Sequence, residues 1–436
     1  MKRTFLFLIP AVLFAASEAP TGDSFLLRGG TVHTLSGAQI DNGSVLVRNG
    51  RIIGVGKDIA APKDVKVIDI RGLHVYPGMI DAATEIGLVE VDAVRETQDE
   101  TELGRLNPQL VALTAVNPSS EHIPVTRANG ITTAATLPQG QLISGQVSLI
   151  HLDGWTTDEM SVSRTAALHL RIPSIQVSPR AATPPDDGAT TPATGPAATF
   201  TAAKQNFDKQ MAELNEFFDS ARRYRQSKGA KAADFHADLK MEAMIPVIEG
   251  KEPVLITAIR EREIRDAIAF GDKQKIKIIL CDAPEAYKAI KEIKERNIPV
   301  ILGPTLELPL NEDDPYDRSY TVPAELQKAG IRFAIGTFAG TANLSSRNLP
   351  YQAAQAVAFG LSHDDALRAI TKNAAEIWGV GDRIGTIEEG KWADLMVTDG
   401  DPLETRTQVR QLFIKGKTVD LDNKQRQLYE KYLHRP

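Results

Sequence analysis

The sequence predicts an α/β protein built around a (β/α) barrel. Two observations carry that expectation. From residue 254 onward strand and helix signals alternate: residues 254–258, 276–281, 299–302 and 331–335 read as short strands, with helical segments between them. Near the N-terminus, residues 24–76 read instead as short strands joined by turns. A chain of 436 residues, 42% hydrophobic and 24% charged, can bury a large core and suits one big unit plus a smaller one.

Taken in order, the chain opens with Lys2 and Arg3, an apolar run over 5–16, and small residues Ala15, Ala16, Ser17 and Ala19. The run is shorter than the roughly 20 residues that span a bilayer, so residues 1–19 are expected to be a signal peptide and the chain periplasmic. Cys281 is the lone cysteine, which rules out an internal disulfide. A net charge of -6 gives no reason to expect a nucleic-acid partner.

Within 24–76, Asn49-Gly50 predicts a hairpin turn. Residues 178–203 are rich in Pro, Ala, Thr and Gly and are expected to be a disordered insertion. A polar helix predicted over 207–226 either covers the barrel mouth as a lid or runs along the surface. Further on, a helix is expected over 261–270 and another over 284–296, where Ala286, Ile290 and Ile293 keep helical spacing. Ser362-His363-Asp364-Asp365 has the spacing of a capping box, and Gly379 marks a helix stop.

Two motifs carry a resemblance. Tyr76-Pro77-Gly78-Met79-Ile80-Asp81 resembles the opening of the barrel in the amidohydrolase superfamily, in particular its exported imidazolonepropionase-like and dipeptidase-like branch. The run 385–397, with Gly390-Lys391-Trp392-Ala393-Asp394, and Asp399-Gly400-Asp401-Pro402 after it, resembles the same family's C-terminal signature. Residues 130–134 resemble its third-strand region, and 140–150 a segment of its exported members. The resemblance implies a (β/α)8 TIM-like barrel over 77–382 and a small β-sandwich made jointly by 24–76 and 383–424.

It also implies a site. In the family, a His-x-His pair on strand one, a His on strand five, a His on strand six and an Asp on strand eight bind metal, and the metal makes hydroxide available at neutral pH. The matching positions here are Ala83, Glu85, Thr257, Asp282 and Phe338. Ala83 and Phe338 offer no lone pair, and two carboxylates do not make a catalytic zinc site. His122 and His151 join Glu85 and Asp282 as fallback metal candidates, and Arg260 is the nearest basic residue to Thr257 in sequence. Nothing marks Gly140 to Gly145 as a phosphate loop, and Ser144 and Ser161 lack evident His-acid partners.

Two functions follow. One is a catalytically silent amidohydrolase-fold protein that binds a small molecule, or pairs with an active relative or with itself, and needs no cofactor. The other is a divergent hydrolase of C–N bonds that uses zinc held by Glu85 and Asp282.

Overall fold

Parity along the short strands sorts their side chains into two apolar clusters. Leu255, Ile279, Cys281, Ile301 and Ala334 belong to one cluster, while Val254, Ile256, Ile278, Leu280, Val300 and Phe333 belong to the other. A strand alternates its side chains between two faces, so the first set fills the inside of a curved sheet and the second meets the helices outside it. The computed structural model describes residues 23–91, 93–175, 199–230, 235–338 and 343–435. Among them, eight strands follow one another as neighbours: β1 (Met79–Thr84), β2 (Ile131–Thr136), β3 (Ile143–His151), β4 (Ser161–Arg171), β5 (Val254–Thr257), β6 (Ile278–Cys281), β7 (Val300–Leu302) and β8 (Phe333–Ile335).

The last strand returns to the first. The Phe338 N–H donates to the Ala83 carbonyl at 2.9 Å. Asp81, fully buried, accepts from the Thr337 N–H at 3.0 Å and the Thr337 hydroxyl at 2.6 Å. A Cβ on Gly336 would fall 2.7 Å from that of Ala83, so the two strand ends can approach only with glycine there.

The sheet departs from a uniform (β/α) alternation. β3 pairs antiparallel with both β2 and β4, while the other pairings along the sheet are parallel. Hairpins therefore replace two helical crossovers. The stretch 85–121 covers part of the outer face in their place, with the Leu113 N–H donating to the Ser148 hydroxyl at 3.0 Å. Residues 130–134, which resemble the family's third-strand region, enter the second strand of this sheet.

A second sheet joins the two chain ends. His74–Pro77 lies antiparallel to Leu395–Thr398, with Val75 opposite Val397, and parallel to Phe25–Val32. The Asn49-Gly50 turn connects Ile40–Arg48 to Arg51–Gly56 with φ of 52° and 76°, the left-handed pair that a tight hairpin needs.

The long helix spans Phe200–Gly229, so the last residues of the insertion expected over 178–203 are helical. Thr199 caps it, its hydroxyl accepting from the Ala202 N–H at 3.2 Å. Leu214, Phe218 and Ala221 are buried on one face, and Phe218 meets Phe270 edge-on with ring centroids 5.2 Å apart. Phe270 belongs to the helix Glu261–Gln274 that follows β5. The long helix thus packs on the barrel's flank. Residues 1–19 and most of 178–203 lie outside the described residues.

Candidate functional site

Strands running the same way deliver their C-terminal ends to one rim, where a cavity of about 180 Å³ opens. Glu85, Thr257, Asp282 and Phe338 line it together with Leu137, Gln139, His169 and Arg171. Four of the five positions singled out in the sequence therefore share one cavity. Ala83 lies beside it, fully buried in the interior cluster against which the Phe338 ring packs.

His169 and Arg171 come from the end of β4 and complete the site. In the sequence, Leu168 and Leu170 alternate with Ala167, His169 and Arg171, the signature of a strand with one polar inner face. That signal marks the two residues as inward. It does not show that they meet Thr257, which follows only from the pairing of Thr257 with Arg171 in the β4–β5 register.

The hydrogen bonds of His169 fix its state. Its Nδ1 lies 2.7 Å from the Pro138 carbonyl, which can only accept, so Nδ1 carries the proton. Burial lowers its pKa to about 4, so the ring is neutral at pH 7 and Nε2 is an acceptor. The Thr257 hydroxyl, 2.9 Å away, then donates to Nε2. Both side chains are buried.

Asp282 faces the same cavity with its backbone in the left-handed region, at φ 50°. Burial raises its pKa, Arg171 lowers it, and Glu307 and Glu263 raise it again. Its side chain makes no hydrogen bond or ion pair among the described residues. The basic group at this site is Arg171, which donates to the Gln139 side-chain oxygen at 3.2 Å. Arg260 points elsewhere, donating to the Asn311 side chain at 2.8 Å from an exposed position.

The fallback histidines are not here. His151 ends the inverted strand β3, at the opposite end of the barrel, and its Nε2 meets Asp394 Oδ2 at 2.9 Å. His122 uses its Nε2 on the Glu90 carbonyl at 2.8 Å, in the stretch that follows β1.

These residues do not fit a catalytic metal. Ala83 and Phe338 have no donor atom, the Thr257 hydroxyl is engaged by His169, and both His169 nitrogens have protein partners. Among the described residues, no three His, Cys, Asp or Glu side chains are gathered where they could hold an ion.

Comparison with known proteins agrees with the fold. The model of the amidohydrolase family matches residues 260–419. The amidohydrolase tasK of Hapsidospora irregularis is 22% identical over 87% of this chain and 40% of its own length. An imidazolonepropionase from Aromatoleum aromaticum is 46% identical over 16% of this chain and 18% of its own. This chain thus spans well under two thirds of the length of these curated relatives. The crystal structure of an amidohydrolase from Thermotoga maritima superposes with a TM-score of 0.77 at 26% identity, over 91% of this chain and 99% of that one. The chain is thus similar to amidohydrolase-superfamily proteins, with amidohydrolases and imidazolonepropionases among the relatives it matches.

Proposed function

We propose that the barrel mouth binds a small molecule without activating water, so that the chain is a catalytically silent member of a family of hydrolases. The observation that carries this reading is the bond from Thr257 to His169. It occupies the strand-five position, where the family resemblance places a metal-binding imidazole, with a hydroxyl already committed to a protein partner.

The same pair has the contacts of a nucleophile and its base, but its energetics weigh against that role. Protonating an imidazole of pKa about 4 at pH 7 already costs ~4 kcal/mol, and drawing that proton from the Thr257 hydroxyl, a far poorer proton source than the solvent at that pH, costs more. No carboxylate sits behind Nδ1 to stabilise the imidazolium, because its partner is the Pro138 carbonyl. In this reading 77–382 is the binding barrel, 24–76 and 383–424 form the small β-sandwich, and residues 1–19 direct export to the periplasm.

The test is metal titration of chain purified without chelators. Zinc added in slight excess is expected to stay unbound after gel filtration. About one tightly held zinc per chain, lost in Glu85→Gln or Asp282→Asn together with turnover of an amide substrate, would establish the zinc hydrolase instead.

A further inference from the structure

Asp282 borders a second cavity, and the two cavities differ in character. The outer one, about 240 Å³, is walled by Ile259, Leu302, Leu310 and Val322, with Asp282 and Glu307 as its charged groups. Among the described residues, no Lys, Arg or His lines it. The Glu307 carboxylate, like that of Asp282, has no hydrogen bond or ion pair among the described residues. Glu263, the other acid that acts on Asp282, is already satisfied by the Ile259 and Arg260 N–H groups.

Gly303 lets the Asp282 carboxylate sit at the junction, since a Cβ there would lie 2.5 Å from Oδ1. Arg171, the opposite charge that acts on Asp282, does not line this chamber, so a cation bound there beside Asp282 and Glu307 lowers the cost of keeping Asp282 ionised. The walls decide which cation. A divalent metal would need more oxygen ligands than two carboxylates provide, and the two hydroxyls that also line the cavity, those of Thr305 and Ser319, already donate to Gln352 and to the Leu308 carbonyl. An organic ammonium ion with an apolar body satisfies both features at once, the charge between Asp282 and Glu307 and the hydrocarbon on the four aliphatic side chains.

We infer that the outer cavity at Asp282 is a subsite for a hydrophobic ammonium ion of fragment size. The inference rests on the reading of the mouth as a ligand pocket without a catalytic metal, and names what it recognises. Its size sets the scale, since drug-sized ligands occupy roughly 300–1,000 Å³.

The experiment compares benzylammonium with the neutral, nearly isosteric benzyl alcohol, titrated by ligand-observed NMR against the full chain at pH 7.5 and low salt. Benzylammonium is expected to bind at least ~10-fold more tightly, as a gain from charge pairing in an apolar chamber requires. Asp282→Asn should shrink that gap to under ~2-fold and leave benzyl alcohol unchanged, as loss of the charge alone demands. Glu307→Gln, at an exposed position that folding tolerates, should narrow the gap by at least ~3-fold and keeps the test decisive if Asp282→Asn does not fold. Equal binding of the two probes, no binding of either, or a gap that survives the folded variants overturns the subsite. Stoichiometric zinc with turnover would sink the silent-site reading separately, because that result does not depend on which probe the outer cavity prefers.

Discussion

Replacing Thr257 by valine keeps the volume and branching of the side chain and deletes the hydroxyl that donates to His169. The His169 Nε2 is then left without a donor in a residue only 1% exposed. A buried acceptor stripped of its partner costs about 1–3 kcal/mol, and no cavity forms to add to it. Reprotonation offers His169 no relief, since burial holds its pKa at about 4 and the group stays neutral at pH 7.5. Urea unfolding at pH 7.5, followed by circular dichroism, should therefore show a lower midpoint at unchanged slope. Thr257→Ser, which keeps the hydroxyl and loses one methyl, should fall by roughly 1 kcal/mol. The double variant Thr257→Val with His169→Leu should lose less than the two single losses summed, because the orphan acceptor is gone. If Thr257→Val matches the parent within ~0.5 kcal/mol, the hydroxyl is not committed to His169 and is available to a ligand, contrary to the proposed function.

Three further outcomes follow from the buried groups. Burial raises the Glu252 carboxyl to about 7, so the folded state favours its protonated form and the stability it confers, complete below pH 4.5, drains away as the pH climbs to 7. Glu252→Gln should thus match the parent near pH 4.5 and exceed it at pH 8, by up to ~3 kcal/mol in the urea midpoint comparison; equal stability at both pH values refutes the shift. Thr337→Val removes a 2.6 Å donor from the buried Asp81 carboxylate, whose pKa stands at about 6, and should cost about 1.5–3 kcal/mol at pH 7.5 and less at pH 5, read by the same unfolding curves. Phe218→Ala should cost about 3–5 kcal/mol by opening a cavity between the long helix and Phe270; a loss under ~1 kcal/mol would mean that this helix is not part of the cooperative core.

Local chemistry made much of the fold legible. Asn49-Gly50 announces its hairpin because few other pairs adopt positive φ at both positions, and Ser362 caps its helix as its spacing predicts, accepting from the Asp365 N–H at 3.1 Å. The inversion of β3 was not legible. Its nine residues are all buried, so no alternation distinguishes a hairpin arm from a parallel strand. The early start of the long helix was hidden by composition: the Ala-rich stretch around Thr199 reads as low complexity, yet alanine is the best helix former and Thr199 is a good cap. At the site, motifs located Thr257, Asp282 and Phe338, but His169 lies 88 residues from Thr257, and register alone brings the two together.

Asp282 and Phe338 show why the geometry of the mouth and its chemistry are separable. Both hold left-handed backbone, at φ 50° and 45°, a conformation that costs a non-glycine residue roughly 1–2 kcal/mol. Aspartate can offset this with a local hydrogen bond, but the Asp282 carboxylate makes none among the described residues, and a phenylalanine ring has no such means. What holds the two residues there is main-chain bonding: the Asp282 N–H donates to the Ile301 carbonyl at 3.0 Å and the Phe338 N–H to that of Ala83 at 2.9 Å. The second of these bonds ties the end of the sheet back to β1. Main-chain bonding, along the sheet for Asp282 and across its closure for Phe338, therefore aims both positions at the cavity independently of side-chain hydrogen bonds. A TM-score of 0.77 to an amidohydrolase reports the shared backbone fold, and what chemistry such a fold performs depends on the atoms placed at its rim.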